Sequence, residues 1–203
     1  MTTYEHAMLG LTLAVAAGTQ RRYGWALPAT AAVAATVPDW DAVSLLLGPA
    51  AYATGHRTWG HNLFAAGLLG GVVGAVGYLC YLSAGVRERA LALLRRLGEE
   101  APAAGVPPRF TGHGLALWVV VGVLAGLSHL PADILYPWRV PLLWPLAGGE
   151  WQLDVLKFGD LVPTILFLGG MFGMALWRRR ARLIAWLTLL AVGCYVGVRW
   201  ATS

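Results

Sequence analysis

The residues able to do chemistry stand in four short groups: Glu5-His6, Pro38-Asp39-Trp40-Asp41, His56-Arg57-Thr58-Trp59-Gly60-His61 and His129-Leu130-Pro131-Ala132-Asp133. Imidazole nitrogens mixed with carboxylate oxygens form a donor set for zinc or a neighbouring first-row ion. Such groups are costly beside lipid unless they pair, ligate or line a cavity. His129 and Asp133 are four apart, so on a helix they differ by about 40 degrees and lie one turn apart on one face. Both can reach one ion, and the same spacing also suits a plain hydrogen-bonded pair. Pro131 between them removes a backbone donor and kinks the helix, as happens where a membrane helix lines a cavity.

Asp39 and Asp41 are two apart and would diverge on a continuous helix, so a turn is needed if both are to act together. Pro38 closes the preceding helix, and Asp41 is also placed to N-cap the run beginning at Ala42. His56 and His61 are five apart, which puts His56 in a loop and His61 in the first turn of the next helix. Arg57 offers a planar fork for phosphate or carboxylate oxygens, or alternatively a salt bridge to Asp39 or Asp41. His6 is weaker, because a histidine near a terminus is cheap. His113 reads as an ordinary interfacial residue, and Asp154 and Asp160 as solvated loop acids.

The elements that must position these groups are membrane helices. The chain of 203 residues is 58% apolar and 12% charged, about half the charge of an average soluble domain. Asn62 to Ala84 and Gly114 to Leu135 read as spans, as do the slightly shorter runs Leu161 to Trp177 and Leu183 to Val198, since a span needs roughly 20 apolar residues. Ala7 to Gly18 and Gly24 to Val37 are shorter still, and read as a packed pair of spans. The expectation is an all-α, polytopic integral membrane bundle of about six transmembrane helices, one domain over 1–203. Met1 to His6 carries no Lys or Arg, so the first helix is expected to be no cleaved signal. Cys80 and Cys194 read as small packing residues.

Eleven of the fifteen basic residues fall in one set of loops, at 21–22, 87–96, 109 and 178–182, which the positive-inside rule places in the cytoplasm. Every candidate ligand then lies on the non-cytoplasmic face. The net charge of +5 is dispersed over membrane-flanking loops, so anionic lipid, and not nucleic acid, is its expected partner. Val86, Ala90, Leu93, Leu94 and Leu97 repeat at helical spacing among arginines, the pattern of a cytoplasmic interfacial helix. Ala101 to Pro108 reads as a linker. Most of the ten tryptophans sit near span ends, as an interfacial belt does.

The order of these motifs, an early His, Pro-Asp-Trp-Asp, His-Arg-x-x-x-His, Ser-His-x-x-x-Asp and then Leu-Leu-Trp-Pro-Leu at 142–146, resembles the YdjM family of inner-membrane proteins. That family is described as metal-dependent hydrolases related to zinc-dependent phospholipase C and P1-type nuclease. The resemblance runs from His6 to Pro145 and implies metal-site roles for His6, Asp39, Asp41, His56, His61, His129 and Asp133, with Arg57 beside them. Two departures are visible: Ala42 follows Asp41 where the family carries a His, and Gly60 and Asn62 flank His61 where it carries Thr and Ser.

The reading is a membrane-embedded hydrolase using one to three divalent ions, with zinc favoured. Arg57 and Asp39 are the candidate catalytic residues, and the expected substrate is a phosphoester or other anion at the lipid headgroup. A metal or proton transporter would carry ligands near the midplane with polar residues continuing to the far side, and a scaffold would explain the glycine and alanine content.

Overall fold

The computed structural model describes residues 1–96 and 108–202. Its helices are α1 (Thr3–Ala16), α2 (Gln20–Tyr23), α3 (Ala26–Thr36), α4 (Pro49–Gly55), α5 (Leu63–Leu82), α6 (Ala84–Arg96), α7 (Gly112–Ile134), α8 (Leu161–Leu176) and α9 (Ala181–Thr202). A 3-10 segment, Val37–Leu47, follows α3, and a second, Arg178–Arg180, precedes α9. The only β feature among the described residues is a bridge between Val140 and Trp151.

Among the described residues, three helices are long and apolar enough to cross a membrane: Leu63–Leu82, Gly112–Ile134 and Arg178–Thr202. The six-span expectation is therefore met in full length by three, with α8 a shorter apolar helix of 16 residues. α1 and α3 have 14 and 11 residues, and α1 rises only about 21 Å against a hydrocarbon core of about 30 Å. Their ends are set locally. Gly18, at φ +84°, takes a left-handed conformation that suits glycine, and beyond Thr36 the chain tightens into the 3-10 segment around Pro38.

The outward stripes identify lipid-facing surfaces. Phe64, Leu68, Val72, Val76 and Leu79 on α5 are all at least half exposed, as are Ile165, Leu168, Phe172 and Leu176 on α8. These i, i+3 and i+4 rows point away from the protein core, and large apolar patches of this extent mark a membrane surface. Cys80 and Cys194 are also exposed, so they are outward surface residues and not core packing.

Inside, α5 and α7 approach through small residues. A Cβ built on Gly70 or Gly122 would collide with the other's backbone carbonyl, and one on Gly126 would meet that of Ala66; this is the small-xxx-small contact of membrane helices. α1 packs against α3, α7, α8 and α9. Away from the acidic ends of the helices, the interior is filled by Leu27, Tyr78 and Trp118, and by Val15, Ala16, Met174 and Ala185. The Nε of Arg182 donates to the Ala16 carbonyl at 3.0 Å, tying the start of α9 to the end of α1. α6 is helical through Arg96, whereas Leu97 and residues 101–107 of the linker lie outside the described residues.

Candidate metal centre

Four elements bring the candidate ligands to one end of the bundle. α1 supplies His6 from its first turns, the 3-10 segment supplies Asp39 and Asp41, the turn before α5 supplies His61, and the last turns of α7 supply His129 and Asp133. His6, Asp39, His129 and Asp133 each offer a ligand atom within 4.8 Å of all the others and could hold a metal ion. His61 joins them: its Nε2 lies 3.2 Å from His129 Nε2 and 3.5 Å from both Asp39 Oδ1 and Asp133 Oδ2. His129 Nε2 is likewise 3.5 Å from those two oxygens.

These separations test whether an ion fits. A four-coordinate first-row ion with bonds of about 2.0–2.1 Å needs ligand atoms about 3.3–3.4 Å apart, close to the five edges just given. The hydrogen bonds behind the two imidazoles add a second test. His129 Nδ1 donates to the Ala35 carbonyl at 2.8 Å, and His61 Nδ1 donates to Asp41 Oδ2 at 2.9 Å. Each neutral ring therefore turns the lone pair of Nε2 toward the same point, an arrangement that requires a cation or a proton between them. The donor set, the edges and the tautomers fit a metal ion.

In the 3-10 pattern the amide three residues onward would pair with the Ala35 carbonyl. That residue is Pro38, which has no N–H, and His129 supplies the donor instead. A buried carbonyl seldom goes without one.

Asp41 stands one layer behind the cluster. Its carboxylate accepts from His56 Nδ1 at 2.7 Å, from the Arg57 backbone N–H at 2.8 Å and from His61 Nδ1 at 2.9 Å. It therefore orients His61 and does not cap a helix. His56, stacked on Tyr52 with ring centroids 4.7 Å apart, bonds Asp41 and not the converging atoms. His61 precedes α5, whose cap is Asn62: the Asn62 side chain accepts from the Ala65 N–H at 2.9 Å. Gly60 is buried against Pro38 and Asp41, where a Cβ would strike the Pro38 carbonyl. The departure from the family pattern at Gly60 and Asn62 thus has local roles.

Arg57 takes φ +63°, a conformation uncommon outside glycine and found at constrained functional positions. Its guanidinium lies 3.6 Å from the centroid of the Trp138 ring, a cation–π contact. Among the described residues no carboxylate pairs with it, so the salt-bridge alternative does not hold. Its Nε is buried without a hydrogen-bond partner.

His6 is fully buried and stacks on His129 at 3.5 Å between centroids. Its Nε2 bonds Asp133 Oδ1 at 3.0 Å, and the Met1 ammonium donates to the same oxygen at 2.7 Å. Asp133 therefore faces two ways, with Oδ2 toward His61 and His129. Asp39 is the ligand nearest solvent, 14% exposed where the others are at most 1%, and its Oδ2 accepts from Thr3 Oγ1 at 2.6 Å.

Charge in the cluster is set by burial against pairing. Burial favours a neutral Asp39 carboxyl, but the hydrogen bond from His61 and the proximity of His129 and His6 outweigh it and hold Asp39 well below the usual carboxylate range. Burial likewise opposes ionised Asp41, and the bonds from His56 and His61 prevail. Burial opposes a charged His61, yet Asp133, Asp39 and Asp41 around it push its pKa up to about 10. In the absence of an ion, His61 holds the proton that balances these acids.

Several partners escaped the sequence reading. Trp138 was indistinguishable from the interfacial belt, and the Ala35 carbonyl has no side-chain signature. Glu5 is 2% exposed and accepts from the Thr2 N–H at 2.8 Å and from Thr164 Oγ1 at 2.5 Å; the Thr-x-x-Glu capping pattern was its available signal. Asp160 is no free solvated acid: it caps α8 through the Val162 N–H at 3.1 Å and accepts from the Tyr195 hydroxyl at 2.5 Å. His113 is exposed at the start of α7.

Fold and site together define an all-helical membrane protein with a buried His/Asp cluster that could hold a metal ion. The chain belongs to the YdjM inner membrane protein family, whose family model matches residues 1–203. No curated protein and no solved structure matches it.

Proposed function

We propose that the protein is a membrane-bound, metal-dependent hydrolase acting on a phosphoester at the lipid headgroup level of the non-cytoplasmic face. The observation that supports it most is the convergence of His61 Nε2, His129 Nε2, Asp39 Oδ1 and Asp133 Oδ2 with separations of 3.2–3.5 Å, open toward solvent at Asp39. These four residues would hold the ion, zinc being favoured by the mixed nitrogen and oxygen donors, and His6 extends the set along the second edge of Asp133. An ion held there supplies Lewis acidity toward a phosphoryl oxygen and lowers the pKa of water.

The chain's own groups do the rest. Asp41 fixes the ring and tautomer of His61, and the Ala35 carbonyl does so for His129. Asp39, the most exposed ligand, takes the proton of the attacking water at Oδ2 as the water oxygen bonds to phosphorus, and passes that proton to the leaving alkoxide as the ester P–O bond breaks. Arg57, steered by Trp138 and by its N–H bond to Asp41, offsets negative charge on the phosphoryl oxygens. The far half of the bundle is packed with Leu27, Tyr78 and Trp118, which favours surface chemistry over passage through the membrane. The orientation is supported by the eleven arginines at the opposite helix ends.

The test is hydrolysis by the full chain reconstituted in vesicles, supplied with zinc or manganese and offered bis(p-nitrophenyl) phosphate and a phospholipid. Metal-dependent product release that disappears in His129→Ala is the expected result. A folded, metal-loaded protein that cleaves neither substrate overturns the proposal.

A further inference from the structure

A cavity of about 630 Å³ lies between α1, α7, α8 and α9. One end is at the metal centre: Met1 lines it, Met1 also bonds Asp133, and Ala132 beside Asp133 forms part of the wall. From there it follows α1 past Leu9 to Leu13, with Phe167 of α8 and Val192 of α9 opposite. Thr3 to Leu13 is about 15 Å of helix, which is half of a hydrocarbon core of about 30 Å and so the depth of one leaflet. Pro131 and Leu13, both on its wall, are exposed, so the cavity is not sealed off by the helices around it. Its volume is within the range of small-molecule sites, roughly 300–1,000 Å³.

Its polar groups are few and unequal. Ser128 Oγ is already bonded to the Ala125 carbonyl at 2.7 Å. Tyr136 differs: it is 3% exposed, its hydroxyl has no hydrogen-bond partner among the described residues, and it lines both this cavity and a small polar one beside Glu5, Asp160 and Thr164. A buried hydroxyl without a partner is costly, and Tyr136 stands between the apolar slot and the cavity beside Glu5 and Asp160.

We infer that this cavity receives one acyl chain of a membrane lipid, with the Tyr136 hydroxyl donating to an oxygen at the lipid's polar end. The identity of that polar end as a phosphoester rests on the function proposed above. Apolar length in the slot and a charged group at the His/Asp cluster then select a lipid over a soluble phosphodiester, entering laterally from the bilayer.

The experiment uses the zinc-loaded full chain in phosphatidylglycerol/phosphatidylethanolamine vesicles containing a phospholipid with a diazirine in mid-chain. Crosslinks are expected on segments around Leu9, Leu13, Phe167 and Val192, and Leu13→Trp, which fills the deep end, should reduce them severalfold without changing metal content. The same variant should lower hydrolysis of the long-chain phospholipid by at least about tenfold, the loss of burial for some two methylenes, and by clearly more than it lowers bis(p-nitrophenyl) phosphate turnover. Tyr136→Phe should weaken labelling while retaining the metal. Labelling confined to the outer faces of α5 and α8, or insensitive to Leu13→Trp, overturns the inference. Cavity labelling sensitive to Leu13→Trp, with neither substrate cleaved, upholds the chain site and refutes the hydrolase reading instead.

Discussion

Asp41 provides the sharpest separation between a ligand and a residue that aims one. In Asp41→Ala three donors, His56 Nδ1, the Arg57 amide and His61 Nδ1, lose an acceptor now at 2.7, 2.8 and 2.9 Å. Each donor left buried and unpaired costs about 1–3 kcal/mol, so the variant should melt earlier, and its metal affinity must be measured well below that temperature. Loss of a carboxylate behind a ligating imidazole weakens metal binding about 10- to 100-fold, or about 1.4–2.7 kcal/mol. Asp41→Asn should lie between parent and Asp41→Ala, because its amide oxygen can still accept from His61 and Arg57 while His56 changes tautomer. His129→Ala, which removes an Nε2 from the converging set, should abolish binding. Competition against a chromophoric zinc chelator in detergent gives all four affinities. Parent-like affinity in Asp41→Ala refutes the orienting role. Complete loss, equal to that of His129→Ala, makes Asp41 a direct ligand.

Three other outcomes follow from the same contacts. Because the pKa of His61 is raised from 6.5 to about 10, its protonated form stabilises the metal-free protein fully below about pH 6.5, and that contribution is lost as pH rises through about 10. An ion must displace that proton, so affinity should rise about tenfold per pH unit from 6.5 to 8.5; a flat profile, corrected for the chelator, contradicts the ligand role of His61. Arg57→Ala should keep its metal but lose about 100- to 1000-fold in phosphodiester turnover, and stripping of the metal would instead make Arg57 structural. Gly122→Leu, which drives a side chain into the Gly70 carbonyl, should destabilise by about 1–3 kcal/mol or more; an unchanged melting temperature in detergent would disprove the close α5–α7 contact.

The donor groups were legible because their types are rare in apolar sequence, and because spacing alone puts His129 and Asp133 on one face. The membrane class was legible from the uncharged runs of α5 and α7. What spacing cannot encode is which oxygen of a carboxylate meets which nitrogen. Asp39 and Asp41 look equivalent in Pro-Asp-Trp-Asp, yet the 3-10 turn sends one into the cluster and the other behind His61. Distance from a terminus misjudged His6, since α1 is packed on four neighbours and buries it completely. The partner of Arg57 lies 81 residues away in a loop, and nothing local to Trp138 announces it. The short N-terminal helices were readable as apolar, but not as spans, because their depth depends on what they pack against.

The most direct measurement is the metal content of the full-length protein, purified in detergent after growth with zinc or manganese and checked for monodispersity. About one equivalent or more of a divalent first-row ion is expected, retained in His113→Ala and lost in His129→Ala and Asp133→Ala. Less than about a tenth of an equivalent in the parent, even after reloading, would contradict the central claim that the His/Asp cluster is a metal centre.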